Sequence, residues 1–218
     1  MASRIMHYAI ATIIADDLGI TDKKKFILGN LEPDISSKQD GSYNLAHFSE
    51  RNESKKTKGI NYRKFVMKYK DAILYDEEVL GYFCHLVADA YWLNSIQDKH
   101  IRKYCGEKKK ERISQGYKEM QAYNPILIRR FCLKNEIQSI TELKMEETDV
   151  RCKETFLDGL RADFITDEIP KYEFVVYPYK EVLDFIHNAV SIIKEEILAL
   201  REEKEMRVPE EWYVKDIF

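Results

Sequence analysis

Glycine and proline are scarce in this chain. Eight glycines and five prolines in 218 residues leave little material for the tight turns of a sandwich or barrel, and long helices are expected instead. No apolar run approaches the length of a membrane-spanning helix. The stretch Met1 to Ile14 is partly apolar, but His7 interrupts it and Asp16-Asp17 follow. It lacks the charged, apolar and small-residue order of a secretory signal. The four cysteines, Cys84, Cys105, Cys132 and Cys152, are far apart and show no Cys-x-x-Cys spacing. That excludes a zinc ribbon and a disulfide framework and is expected of reduced thiols, so the cytoplasm is the expected compartment. An excess of positive charge is lacking too: 35 Lys and Arg stand against 38 Asp and Glu, with no overall case for nucleic acid. There is no phosphate-binding glycine pattern, no nucleophile elbow and no internal repeat.

What is present is a soluble globular balance, 44% hydrophobic and 33% charged, in a length that one domain over 1–218 accommodates. Its centre is Val79 to Trp92, apolar except at His85 and Asp89. A spacing of four puts those two on one face of a helix, one turn apart. A helix apolar nearly all round belongs in the middle of a core, and a carboxylate there must find a partner. A structural His–Asp hydrogen bond satisfies that requirement; so does a divalent metal held by both groups.

The remaining patterning predicts an all-α fold. Residues 4–18 carry apolar side chains at helical spacing, with His7 among them and Gly19 as the stop. Thr21 or Asp22 caps a second helix ending near Gly29, after which Pro33 is expected to turn Glu32 out of helical geometry and fix Asp34 in a loop. Residues 35–61 read as a long polar loop. Its one apolar island, Asn44-Leu45-Ala46-His47-Phe48, is the sort of feature a functional loop carries. A helix is expected over 62–75, then one capped by Asp76 and running to about Tyr104, with His100 facing solvent. Further helices are expected over 111–134, broken or kinked at Pro125, over 147–169 up to Pro170, and over 179–206, with His187 beside the last apolar stripe. Phe174 to Tyr177 reads as a short extended piece. The segment 207–218, with Trp212, Tyr213, Ile217 and Phe218, is expected to dock on the body or on a partner.

Histidines 7, 47 and 85 therefore sit where a core would favour aliphatic residues, accompanied by Asp34 and Asp89. Nitrogen and oxygen donors of this kind suit zinc. The ordered set Ser3-x-x-Met6-His7, Gly29-Asn30-Leu31-x-Pro33-Asp34, His47-Phe48 and Gly81-Tyr82-Phe83-x-His85-Leu86-x-x-Asp89-x-x-Trp92 resembles the bacterial zinc-dependent phospholipase C-like proteins. These are all-helical relatives of secreted phospholipase C and of zinc-dependent single-strand nucleases. The resemblance covers the first 95 residues and continues loosely through Tyr117-Lys118-Glu119 and Tyr123-Asn124. It implies His7, Asp34, His47, His85 and Asp89 as metal ligands in a cluster of up to three zinc ions. Asp34, His47, His85 and Asp89 would surround one zinc, and Asp89 would bridge to a second near His7.

The chain departs from that pattern in two ways. It has no N-terminal Trp whose amine and carbonyl would bind metal, and it has no later His followed by His-x-x-x-Glu. Among Asp98, His100, Glu119 and His187, Glu119 is the favoured extra ligand, and one firm zinc site is expected. The implied activity is zinc-dependent hydrolysis of a phosphate ester, with a phospholipid among the candidate substrates. Asp34 would orient or deprotonate the attacking water, and Asn30 or Asn44 would brace a ligand from behind. The alternatives are a nuclease or phosphomonoesterase using the same site, or a non-catalytic helical binding module stapled by metal. A His–Asp domain phosphohydrolase would need an adjacent His-Asp dipeptide, which the chain lacks.

Overall fold

Ser3 opens the first helix and Gly19 closes it. In the computed structural model, which describes residues 1–37, 39–165 and 171–216, α1 spans Arg4–Leu18. The Ser3 hydroxyl accepts the Met6 N–H, and Gly19 takes the left-handed conformation (φ 63°) that only a residue without Cβ adopts freely. Asp22 caps α2 (Lys23–Leu31) by accepting the Lys25 N–H. Here the expectation for Pro33 needs correction. Glu32 stays helical (φ −57°, ψ −41°) and begins a 3-10 turn, Glu32–Ile35, with Pro33 inside its first turn. A proline is tolerated there because the first N–H groups of a helix have no internal partner anyway.

The supposed loop over 35–61 is also more ordered than its polarity predicts. It contains α3 (Ser42–Ala46) and an antiparallel hairpin of β1 (Ser49–Asn52) and β2 (Thr57–Ile60), in which Ser49 faces Ile60 and Asn52 faces Thr57. A two-residue strand, β3 (Val214–Lys215), joins the other side of β2. Ahead of it, Trp212 lies against the rings of Tyr62 and Tyr91, at centroid distances of 6.1 and 5.8 Å. Residues Ile217 and Phe218 of the expected tail lie outside the described residues. The helix expected over 62–75 is shorter: α4 is Tyr62–Lys68, followed by turns up to Asp76.

The central helix α5 (Glu77–Trp92) begins at Asp76, whose side chain accepts the Glu78 N–H; Glu77 and Glu78 occupy its first turn, where the helix dipole favours them. All but Glu77 and Tyr91 of its residues are buried. It continues into a wider π-type helix, Leu93–Arg102. The next helix, α6 (Gly106–Arg130), runs through Pro125, so the expected break at that proline is corrected. Tyr123, Leu127 and Ile128 around it are buried, and packing of that face outweighs one missing backbone hydrogen bond. The helix α7 (Lys153–Asp163) is shorter than expected and is preceded by a 3-10 turn, Val150–Cys152; Pro170 lies outside the described residues. Finally α8 (Tyr179–Arg201) packs on α1 and α5. The fold is mostly helical, with one small sheet.

Two glycines set how closely α2 and α5 approach. A Cβ on Gly29 would lie 1.9 Å from the Glu78 carbonyl oxygen, and one on Gly81 would lie 2.1 Å from that of Phe26. Beside this contact Glu32 is enclosed next to Glu78, and one of its oxygens accepts the Met145 N–H at 3.1 Å. Burial, and then the Glu78 charge, push the Glu32 carboxyl up to about 8. Between its ordinary value and about 8 the folded chain keeps a proton that the unfolded chain has released. This contribution to stability is therefore complete below the unfolded value and is lost as pH rises through 8. Urea unfolding of Glu32→Gln should show the variant gaining about 2–4 kcal/mol on wild type between pH 5 and 8.5. Parallel pH profiles for the two proteins would contradict this account of Glu32.

Candidate metal centre

Five side chains from four elements converge against α5. His7 comes from the middle of α1, Asp34 from the 3-10 turn after α2, His47 from the C-terminus of α3, and His85 and Asp89 from successive turns of α5. All three histidines and Asp89 are fully buried, while the Asp34 side chain keeps 12% exposure. Two overlapping donor groups result: His7, His85 and Asp89, and Asp34, His47 and His85. In each group the candidate ligand atoms lie within 4.8 Å of one another. Residue His85 belongs to both.

The hydrogen bonds decide which histidine atoms are available. His85 Nδ1 donates to the Asn30 carbonyl at 2.7 Å, and His47 Nδ1 donates to the Tyr43 carbonyl at 2.8 Å. A carbonyl can only accept, so each Nδ1 carries the proton and each Nε2 presents a lone pair. Those two Nε2 atoms face each other at 3.1 Å. Two lone pairs at that separation repel unless a cation shares them. Asp89 turns one oxygen, Oδ2, toward His85 (3.4 Å) and His47 (3.5 Å), and that oxygen has no hydrogen-bond partner. Its other oxygen lies 3.2 Å from His7 Nε2 and accepts the Ala2 N–H at 2.8 Å. His7 stacks on His85 with ring centroids 3.8 Å apart, and its Nδ1 is buried without a partner. Orphaned buried polar atoms in a ring of imidazoles and carboxylates fit a divalent metal of borderline softness, zinc above all.

Electrostatics follow from the same contacts. Burial alone would raise both carboxyls. For Asp34 the neighbouring His47, 3.6 Å away, followed by His85 and His7, outweighs it and holds the group well below the usual carboxylate range. For Asp89 the charge of His7 and its hydrogen bond, with His85 beside them, do the same. Burial, reinforced by the neighbouring His85, lowers His7. Burial would lower His85 too, but the Asp89 carboxylate beside it raises it overall. Both carboxylates are thus ionised at neutral pH, as metal ligands must be.

A comparison of the sequence with family models matches one described as zinc dependent phospholipase C over residues 6–157. The chain belongs to that family. No curated protein and no solved structure matches it. Within the zinc dependent phospholipase C match lie all five converging residues, whereas α8 and β3 fall beyond it.

Other residues expected at the site are placed differently. Both Glu119 oxygens are occupied by the N–H groups of Val175, Val176 and Tyr177 at 2.8–3.0 Å, and Glu119 belongs to neither donor group. Its backbone partners account for its burial, so it anchors the irregular segment before α8, and the extra-ligand expectation has no support in this geometry. Glu119→Gln should leave zinc content unchanged while costing about 2–3 kcal/mol in urea unfolding; loss of zinc in a folded variant would reverse that assignment. Asn44 is exposed and braces no ligand. Asn30 does, but through its carbonyl, while its side-chain amide donates to the Gly81 carbonyl at 3.1 Å. His100 does not simply face solvent: its Nε2 lies 2.7 Å from Glu181. His187 is exposed on α8.

Tyr43 was not anticipated. Its ring stacks on His47 at 3.9 Å, its carbonyl takes the His47 proton, and its phenol hydrogen-bonds Asp34. One residue thus orients two of the candidate ligands. The Tyr43-x-x-x-His47 spacing, a helical i, i+4 pair, was the only signal. Tyr43→Phe should weaken zinc affinity about 10-fold or more, the usual effect of losing a group that orients a ligand, as read by competition with a chromophoric chelator.

Proposed function

We propose that the protein is a zinc-dependent phosphoesterase that hydrolyses a phosphodiester, with phospholipid the substrate class its family points to. The observation that carries this reading is the convergence of His47 and His85, each locked by a main-chain acceptor so that two Nε2 lone pairs meet beside Asp34 and Asp89. In this reading Asp34, His47, His85 and Asp89 would hold one ion, with the single Nε2 lone pair of His85 committed to it, and His7 beside Asp89 would serve a second. Zinc bound there would polarise a phosphoryl oxygen and bring the pKa of a coordinated water toward neutrality.

The chain's own residues would do the rest. Of the five, only Asp34 lines the cavity of about 750 Å³ that opens beside the cluster. Its ionised carboxylate can orient an incoming water, while the Tyr43 phenol holds it in place. Tyr177, Ile113 and Met120 on the cavity wall offer apolar surface to the alcohol part of a substrate.

The complete burial of His7, His85 and Asp89 favours a second reading, in which metal only staples α1 to α5. The two separate on activity. Turnover of bis(p-nitrophenyl) phosphate or short-chain phosphatidylcholine, abolished by a chelator and restored by zinc, supports the phosphoesterase. A chelator that lowers the melting temperature of a protein inert toward diesters, nucleotides and phosphomonoesters supports the staple.

A further inference from the structure

We propose that the cavity beside the cluster carries a second anion subsite, built by Arg102, Lys58 and Lys109, which takes a phosphate group additional to the one under attack. The idea rests on the metal-centre reading only for the place of the first phosphate. Among the described residues, six charged side chains line this cavity: Arg4, Lys58, Arg102 and Lys109 against Asp34 and Asp163. Arg4 is neutralised by Asp163 at 2.7 Å, and Asp34 belongs to the cluster. Three cations remain.

Their counter-charge is thin. Asp216 lies 3.1 Å from Lys58 and 3.4 Å from Arg51, and Arg102 also acts on it, so one carboxylate serves three cations. Lys109 has no ion pair among the described residues. Arg102 stands at the end of the π-type helix with 7% of its surface exposed. One of its terminal nitrogens donates to the Lys215 carbonyl, and its link to Asp98 is long at 3.7 Å. Its Nε is buried with no hydrogen-bond partner among the described residues. A largely buried guanidinium lining a cavity with surplus positive charge among the described residues is arranged for an oxyanion. Lys58 and Arg102 also line an adjoining cavity of about 390 Å³, so the subsite is open from two sides.

Calorimetric titration of the zinc-loaded protein with glycerol 1-phosphate and with glycerol 1,3-bisphosphate tests the subsite. One phosphate occupies the metal centre in both probes, so the ratio of their affinities isolates the second. In wild type the bisphosphate should bind about 10-fold or more tightly than the monophosphate. In Arg102→Gln and in Lys109→Gln that ratio should fall toward one, with zinc content and monophosphate affinity unchanged. The Lys109 side chain has no ion pair among the described residues, so its variant decides the matter if Arg102→Gln does not fold. Equal affinities in wild type, or a preference that both variants retain, overturn the subsite. Hydrolysis of bis(p-nitrophenyl) phosphate by the same samples keeps the two readings apart. A bisphosphate preference that falls in the variants supports the subsite even in a protein that hydrolyses nothing, whereas hydrolysis with equal affinities removes the subsite alone.

Discussion

His85→Ala is expected to abolish zinc binding. His85 is common to both donor groups, and its Nε2 is the lone pair that faces His47, so its loss takes a ligand from whichever ion the cluster holds. Affinity should fall by more than the 10- to 100-fold that typically follows loss of a supporting group. Zinc content should drop from at least one per chain to background, and phosphodiester turnover should go with it. The variant should also lose the difference in melting temperature between zinc-loaded and chelator-treated protein, because metal that binds only the folded state stabilises it by mass action. His187→Ala, which removes an exposed histidine on α8, is the control and should behave as wild type. Retention of full zinc by a folded His85→Ala protein would remove His85 from the centre.

Gly81→Ala should be among the most damaging small substitutions. The added methyl would meet the Phe26 carbonyl oxygen at 2.1 Å and the Asn30 nitrogen at 2.8 Å, both backbone atoms of α2. Neither can rotate aside, so the helices must separate, and a cost of about 3 kcal/mol or more in urea unfolding is expected. The effect reaches the metal centre. The Asn30 carbonyl fixes the His85 tautomer, and the Asn30 amide grips the Gly81 carbonyl, so separation of α2 from α5 loosens the ligand as well as the core. Those variant molecules that fold should therefore bind zinc more weakly. A loss below about 1 kcal/mol would mean that the two backbones are not in contact at this point.

The central helix is the most legible part of the fold, because several signals agree there. Asp76 caps it, two glutamates follow, its sides are apolar all round, and the one polar pair recurs at a spacing of four. The first and last long helices are readable for the same reason. The hairpin was not: Ser49-Glu50-Arg51-Asn52 is polar on both faces, so strand periodicity is missing and only pairing with β2 orders it. Pro125 misled in the other direction, since a local rule against proline inside helices yields to a buried face. Within the site, His85 and Asp89 stood out as polar residues in an apolar helix, whereas His7 and His47 acquired meaning only from their order along the chain. Glu119 and Tyr43 show the limit. A buried glutamate can serve a metal or a run of backbone N–H groups, and only the position of residues 175–177 discriminates. Tyr43 acts partly through its main-chain carbonyl, which leaves no trace in residue type.

The most direct test of the account is zinc K-edge X-ray absorption on the protein as purified and on protein reloaded with zinc. The account predicts at least one zinc per chain, surrounded only by nitrogen and oxygen at about 2.0–2.2 Å, with the outer-shell scattering of imidazole and no sulfur. A folded protein that takes up no zinc, or zinc held by cysteine sulfur at about 2.3 Å, would contradict it.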